Sequence, residues 1–166
     1  MATGPRYRVA FRRRREGRTD YYVRRKLLRG GETRAIVRRS NKNVTIQFAD
    51  FDMNGDQIVV SASSRELKAL GWEFSCSSIP AAYLVGYAAG LRAKKADIEY
   101  AVLDIGMQNP QHGGVLFAVA KGMIDAGLEI PVSEDVLPDE DRLNGKHIDD
   151  KIEADVNSVK QKLEAE

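Results

Sequence analysis

Three segments near the start of the chain have the composition or the alternation of β-strands: residues 34–39, 44–51 and 57–62. In the second segment Val44, Ile46 and Phe48 alternate with polar residues, and this period of two places them on one face of a strand. A polar turn separates the first two segments, and an Asn-Gly pair, which is typical of a hairpin, separates the last two. We therefore expect the fold to open with a three-strand antiparallel meander.

Helices are predicted where apolar residues recur at spacings of three and four, or where capping residues enclose a segment: residues 21–29, 64–72, 79–95, 115–126 and 148–163. Thr19-Asp20 offers the N-cap of the first helix, and Gly30-Gly31 is its stop. Ser78 is a predicted N-cap of the third helix, with Pro80 in its first turn. The last helix carries one apolar stripe, which would dock on the body or on a partner: Ile148, Ile152, Val156, Val159 and Leu163.

The remaining segments complete an α/β pattern. Residues 98–105 are almost continuously apolar, as in a strand covered on both faces, and residues 128–132 have the composition of a last strand. The order β-β-β-α-β-α-β predicts a mixed β-sheet with helices on its faces. We divide the chain into a basic extended N-terminal arm with a short helix, an α/β globular domain, and a C-terminal extension with an amphipathic helix: residues 1–31, 32–132 and 133–166.

Charge is distributed unevenly along this chain. Residues 1–45 hold thirteen Arg, two Lys and three acids, a net charge of +12, whereas the other residues hold 11 bases and 21 acids, a net charge of −10. The planar fork of arginine matches phosphate oxygens and stacks on bases, and three tyrosines (Tyr7, Tyr21 and Tyr22) lie among these arginines. Residues 1–17 have many like charges and no periodicity, so we expect them to be extended and disordered alone and to order on nucleic acid.

Two other uses of a basic segment are a solvated tail and an anchor on an anionic membrane. A membrane-surface helix needs an apolar face, which residues 6–18 lack. The longest weakly polar run, residues 79–91, is too short to span a bilayer. We therefore expect nucleic-acid binding and no membrane association, with Arg34, Arg38 and Arg39 extending the basic surface onto the first strand.

The sequence predicts neither a catalytic nor a metal site. A single cysteine, Cys76, excludes an internal disulfide and fits a reducing cytoplasm. With His112 and His147 it supplies too few ligands at close spacing for zinc. The strand order resembles ribonuclease H-like folds, but the first strand carries arginines where those folds hold a carboxylate for paired Mg²⁺ ions. We expect no enzyme and no cofactor, with a metal-dependent nuclease as the minor alternative.

Six segments follow one another in the order of a known family: RRRREGRTDYYVRRKLL, RAIVRRSNK, IPAAYLVGYAAGLRAKKA, AVLDIGMQNP, KGMIDAGLEIP and DEDRLNGKHI. Together they resemble the large-subunit ribosomal protein L-eighteen family in its archaeal form. The resemblance implies a non-catalytic, cytoplasmic ribosomal protein that binds 5S rRNA in the central protuberance, close to 23S rRNA and to neighbouring large-subunit proteins. A regulator that binds RNA outside the ribosome is the alternative.

The residue types and the resemblance together give the candidate RNA-binding residues: Arg6, Arg8, Arg12, Arg13, Arg14, Arg15, Arg18, Tyr21, Tyr22, Arg24, Arg25, Arg29, Arg38, Arg39, Ser40, Asn41, Lys42, Arg142, Lys146 and His147. The last three come from the DEDRLNGKHI segment and are weaker candidates. The loop His112-Gly113-Gly114 precedes a predicted helix, where free backbone N–H groups bind phosphate. It lacks the cation that the family often has there.

Overall fold

The computed structural model describes residues 4–149 and 151–165, and its core is built on a mixed sheet. The strands are β1 Arg34–Arg39, β2 Val44–Asp50, β3 Gln57–Ser63 and β4 Val102–Asp104. The α-helices are α1 Arg12–Arg15, α2 Tyr21–Leu28, α3 Ile79–Lys95, α4 Val115–Asp125, α5 Glu140–Leu143 and α6 Lys151–Ala165. Two 3₁₀ turns lie at Glu66–Lys68 and Glu134–Val136. The first three residues of the predicted arm, and residues 150 and 166, lie outside the described residues.

The predicted meander is confirmed. The strand order is β3-β2-β1-β4, with antiparallel β1–β2 and β2–β3 pairs and a parallel β1–β4 pair. In the β1–β2 register Val37 lies opposite Ile46, and Ala35 lies opposite Phe48. These side chains are fully buried, because α3 packs on β2 and β3 and α4 packs on β1. Arg34 and Arg38 alternate with Ala35 and Val37 along β1, so they lie on the other face of the sheet.

The late strands are shorter than predicted. Only Val102–Asp104 of residues 98–105 is a strand, and the predicted strand at 128–132 is reduced to one parallel bridge between Tyr100 and Glu129. Pro131 has no backbone N–H and cannot continue that pairing. The predicted helix at 64–72 is likewise reduced to the 3₁₀ turn Glu66–Lys68.

Glycines let α3 and α4 approach each other closely. A Cβ at Gly86 would overlap the carbonyl of Val119, and a Cβ at Gly122 would overlap the carbonyl of Tyr83. Ser78 is the N-cap of α3, as predicted, and accepts a hydrogen bond from Ala81 N. This pair of helices covers the apolar face of the sheet. No helix among the described residues has the length and hydrophobicity that crossing a membrane requires.

The C-terminal helix α6 docks on α3 of the same chain. Four residues of the predicted apolar stripe are buried: Ile152, Val156, Val159 and Leu163. Ile148 precedes the helix and is 52% exposed, so it is not part of the docked face. The Tyr87 hydroxyl donates a 2.6 Å hydrogen bond to Glu164, and Lys160 Nζ lies 4.7 Å from the centroid of the Tyr87 ring. These contacts tie the extension to the body.

Candidate nucleic-acid interface

The N-terminal arm is exposed and contains one helical turn. Residues 4–18, except for partly buried Ala10, are exposed, and α1 buries no side chain. We expected an extended segment here, but Arg14 N and Arg15 N both donate to Phe11 O, and Arg12 forms an i,i+4 ion pair with Glu16 at 3.2 Å. This exposed pair stabilises the turn only slightly. The guanidinium groups of the arm therefore remain accessible to a partner.

Helix α2 presents basic residues on its outer side. Asp20 is its N-cap, as predicted, and accepts hydrogen bonds from Tyr22 N at 2.8 Å and Val23 N at 3.2 Å. Arg25 and Arg29 are exposed and have no carboxylate within 4 Å among the described residues. Their forks are free to contact phosphate.

The inner side of α2 is fixed by an ion pair. Arg24 donates from both Nη atoms to the carboxylate of Asp56, at 2.9–3.1 Å. The hydrogen bond to Asp56 raises the pKa of Arg24. Desolvation pushes the pKa of Asp56 upward, but the hydrogen bonds from Arg24 and the positive charge of the nearby Arg34 outweigh it, so this pKa lies below its usual value. Arg24 is one of the predicted RNA-binding residues, and the structure pairs it with Asp56 of the β2–β3 hairpin.

Arg34 is buried, which corrects the expectation that it belongs to the basic surface. Its side chain is 1% exposed, with Nη1 3.3 Å from Asp104 Oδ2 and Nη2 2.7 Å from Asp56 Oδ2. Despite this short distance Nη2 makes no hydrogen bond to Asp56, and Nε has no acceptor among the described residues. A buried guanidinium requires compensating carboxylates, and these two supply the compensation.

Arg38 is partly committed to the same network. Its Nη1 donates to Asp104 O at 2.9 Å and its Nη2 to Asp104 Oδ1 at 3.3 Å, while about half of the side chain stays exposed. The guanidinium lies against Gly106, which has a φ of 63°. Arg24, Arg34 and Arg38, with their two carboxylates, form one ionic network beneath the arm.

The turn after β1 is exposed and is closed by hydrogen bonds between its own residues. Ser40 Oγ donates to Asn43 O and accepts from Asn43 N, both at 3.0 Å. Gln108 joins the turn to the loop after β4, since its side chain accepts from Arg39 N at 3.0 Å and donates to Val37 O at 2.9 Å. Arg39, Ser40, Asn41 and Lys42 are all exposed. The first three line one wall of a groove of about 340 Å³ beside the start of α4, and Lys42 follows them in sequence.

The glycine loop before α4 has its backbone groups occupied. Gly113 N donates to Val136 O at 3.0 Å, and Gly114 N donates to Gln111 O at 2.9 Å. His112 is exposed. The two glycine N–H groups are therefore not available as the phosphate cradle that the sequence suggested.

The weaker candidates in the C-terminal extension lie apart from the arm. Lys146 Nζ is 2.8 Å from Asp141 and 4.0 Å from Glu153, and the hydrogen bond to Asp141 raises its pKa. The Lys146 ammonium is thus paired with acids of its own segment, while its side chain stays exposed. Arg142 and His147 are exposed, and no hydrogen bond or ion pair joins them to residues 4–29 in the described part of the chain.

Two residues of the arm surface, Phe11 and Lys26, are not among the predicted RNA-binding residues. The Phe11 side chain is 72% exposed, and its ring centroid lies 5.2 Å from that of Tyr21. Lys26 Nζ lies 4.4 Å from the Tyr22 ring centroid, so it occupies one face of a ring that is 69% exposed. An aromatic next to an arginine run was the available signal for Phe11.

Comparison with known proteins identifies the family. The model of the family described as ribosomal large subunit proteins 60S L5 and 50S L18 matches residues 5–99. The chain is 51% identical over 148 residues to the large ribosomal subunit protein uL18 of Haloarcula marismortui, which covers 89% of this chain and 79% of that protein. It is 51% identical to uL18 of Methanoregula boonei (89% and 85%) and 48% identical to uL18 of Korarchaeum cryptofilum (89% and 76%). Proteins of this family are structural components rather than enzymes. The chain therefore belongs to the family of ribosomal large-subunit proteins that contains uL18.

Proposed function

We propose that this structural protein of the large ribosomal subunit binds 5S rRNA and helps attach it to 23S rRNA in the central protuberance. The observation that carries the proposal is a set of exposed arginines that have no carboxylate within 4 Å in the described ranges: Arg6, Arg8, Arg13, Arg14, Arg15, Arg25 and Arg29. Arginines satisfied within the protein would not need RNA. These seven have no carboxylate partner, although Arg13 Nε donates to Thr19 Oγ1 at 2.8 Å, and all of them lie within residues 6–29.

The arm would hold RNA in two ways. Guanidinium forks pair with phosphate oxygens, and the counterions that they displace supply much of the affinity. The exposed rings of Tyr7, Phe11 and Tyr22 offer apolar faces on which unpaired bases stack. Both modes favour structured RNA with accessible loop bases.

The folded body would set the direction of the arm. The Arg24–Asp56 pair fixes α2 to the β2–β3 hairpin, and Arg38 links the same face to Asp104. A preorganised arm loses less conformational freedom on binding, so its affinity is higher. The chain beyond residue 45 has a net charge of −10 and adds little nonspecific attraction of its own.

The test is binding of the full chain to 5S rRNA over a range of salt concentrations. We expect the affinity to fall steeply with salt, and Arg14→Gln/Arg15→Gln to reduce the slope of log K against log[salt] by roughly 1.5. Lys94→Gln/Lys95→Gln, which removes the same charge from the exposed end of α3, should leave the slope close to that of the wild type. A salt-independent affinity, or equal effects of the two variants, would contradict the proposal.

The ribosomal and extraribosomal interpretations are separated by purifying large subunits from the source cells. A structural ribosomal protein should be present at about one copy per subunit. Its absence from subunits, combined with tight RNA binding in solution, would favour the regulator.

A further inference from the structure

A second cationic surface lies on the body, away from the arm. A groove of about 530 Å³ runs between the turn after β1 and the segment that follows β3, with these lining residues: Asn41, Lys42, Asn43, Arg65, Lys68, Phe74, Ser75 and Cys76. Three of the lining side chains are cations and none is an acid. Two of these cations, Arg65 and Lys68, come from the part of the chain beyond residue 45, which has a net charge of −10.

The cations of this groove are not used for folding. Lys42, Arg65 and Lys68 are exposed, and no carboxylate lies within 4 Å of them in residues 4–149 and 151–165. Glu66 lies between two of them in sequence but faces elsewhere, since it pairs with Arg92 at 2.6 Å and accepts from Ser63 N at 2.8 Å. The positive charge of the groove is therefore uncompensated.

The walls of the groove are fixed to each other. Ser77 Oγ donates to Asn41 O at 3.1 Å, which joins the segment after β3 to the turn after β1. Ser75 and Ser77 hydroxyls lie 3.2 Å apart and add a second polar link in the same wall. Phe74 packs at an angle on Trp72, with ring centroids 5.6 Å apart, and contributes an apolar surface. Contacts within the protein therefore form the groove without a ligand.

We propose that this groove binds the phosphate backbone of a ribosomal RNA strand, as a contact distinct from those of the arm. Its volume is in the range of ligand sites, but its open shape and its row of cations suit a continuous polyanion better than an enclosed small molecule. The inference rests on the proposed RNA-binding function and adds a second surface to it. Such a protein can hold two RNA segments, because the arm and the groove use different residues.

The shared chemistry is an RNA phosphodiester backbone, which either 5S rRNA or 23S rRNA supplies. Two measurements distinguish these sources: the affinity of the full chain for 5S rRNA, and the affinity of the preformed 5S rRNA–protein complex for 23S rRNA. The variant is Arg65→Gln/Lys68→Gln, and the control with the same charge change is Lys94→Gln/Lys95→Gln. Both pairs are exposed, so both variants should melt at nearly the wild-type temperature.

We expect Arg65→Gln/Lys68→Gln to weaken one of these two steps about tenfold and to reduce its salt slope by roughly 1.5, while the control changes neither step. A loss in the first step assigns the groove to 5S rRNA, and a loss in the second assigns it to 23S rRNA. If both steps match the control while the wild type binds 5S rRNA, the groove inference is wrong and the proposed function stands. If the wild type binds neither RNA, both fall.

Discussion

Replacement of Asp56 by Asn tests whether the body positions the arm. Asp56 accepts both Nη donors of Arg24 and lies 2.7 Å from Arg34, so the substitution removes the charge that two arginines share. Removing one member of a fully buried ion pair costs about 3–5 kcal/mol. Asp56 is partly exposed and Arg34 keeps Asp104, so we expect a smaller loss of about 2 kcal/mol, near the value for a hydrogen bond between charged groups.

Thermal unfolding measures this loss. For a chain of this length, about 2 kcal/mol lowers the Tm by roughly 4–8 °C. The matched control is Asp52→Asn, which makes the same charge change in the same hairpin, where no side-chain hydrogen bond or ion pair involves Asp52 among the described residues. Equal melting temperatures for the two variants would refute the energetic role of the network.

The pH dependence has a defined sign. Because the pKa of Asp56 is lowered by folding, its stabilisation is fully present above its unfolded value, about 3.9, and is lost as the pH falls through the folded value. The difference in unfolding free energy between wild type and Asp56→Asn should therefore be constant near pH 7 and shrink below about pH 4. A difference that grows on acidification would contradict this assignment.

Binding of 5S rRNA separates positioning from charge. Both Asp→Asn variants add one unit of positive charge, and electrostatic attraction alone would raise the affinity of each. If the Arg24–Asp56 pair orients α2, Asp56→Asn should instead bind severalfold more weakly than Asp52→Asn. Tighter binding by both variants would show that the arm orients itself without the hairpin.

Two further predictions concern the packing of the helices. Gly122→Ala should destabilise the protein by about 1–3 kcal/mol in thermal or denaturant unfolding, because the new Cβ overlaps the Tyr83 carbonyl; Gly30→Ala, whose Cβ meets only ordinary contacts, is the control and should change stability little. Tyr87→Phe removes the hydrogen bond to Glu164 and should make α6 more susceptible to proteolysis. Burial, aided by this hydrogen bond, raises the pKa of Tyr87 to about 12, so the ionisation at that pH should be missing from a spectrophotometric titration of the variant. Unchanged proteolysis, or an ordinary ionisation near pH 10 for Tyr87, would refute the docking role.

The fold was predictable wherever local periodicity reflects the core. Val44, Ile46 and Phe48 alternate because one face of β2 is buried, and the apolar stripe of α6 marks its docked side. The partner of that stripe was not predictable, because an amphipathic face does not specify which surface covers it. Docking on α3 depends on residues about 77 positions apart, such as Tyr87 and Glu164.

The candidate interface was predictable in composition but not in detail. Exposed arginines of the arm follow from their number and from the absence of local acids. The commitment of Arg24 and Arg34 to the fold does not, since Asp56 is 32 positions from Arg24 and Asp104 is 70 positions from Arg34 in sequence. Only the assembled sheet brings Asp56 and Asp104 together beneath α2, so a charge count overestimates the cations available to RNA.

The most direct test of the central claim is a hydroxyl-radical footprint on 5S rRNA, compared between the full chain and a chain lacking residues 1–17. Because α1 buries no side chain, the shortened chain should keep the melting temperature of its folded body. We expect protected nucleotides with the full chain and the loss of most of them with the shortened chain. The same protections without the arm, or none with the full chain, would contradict it.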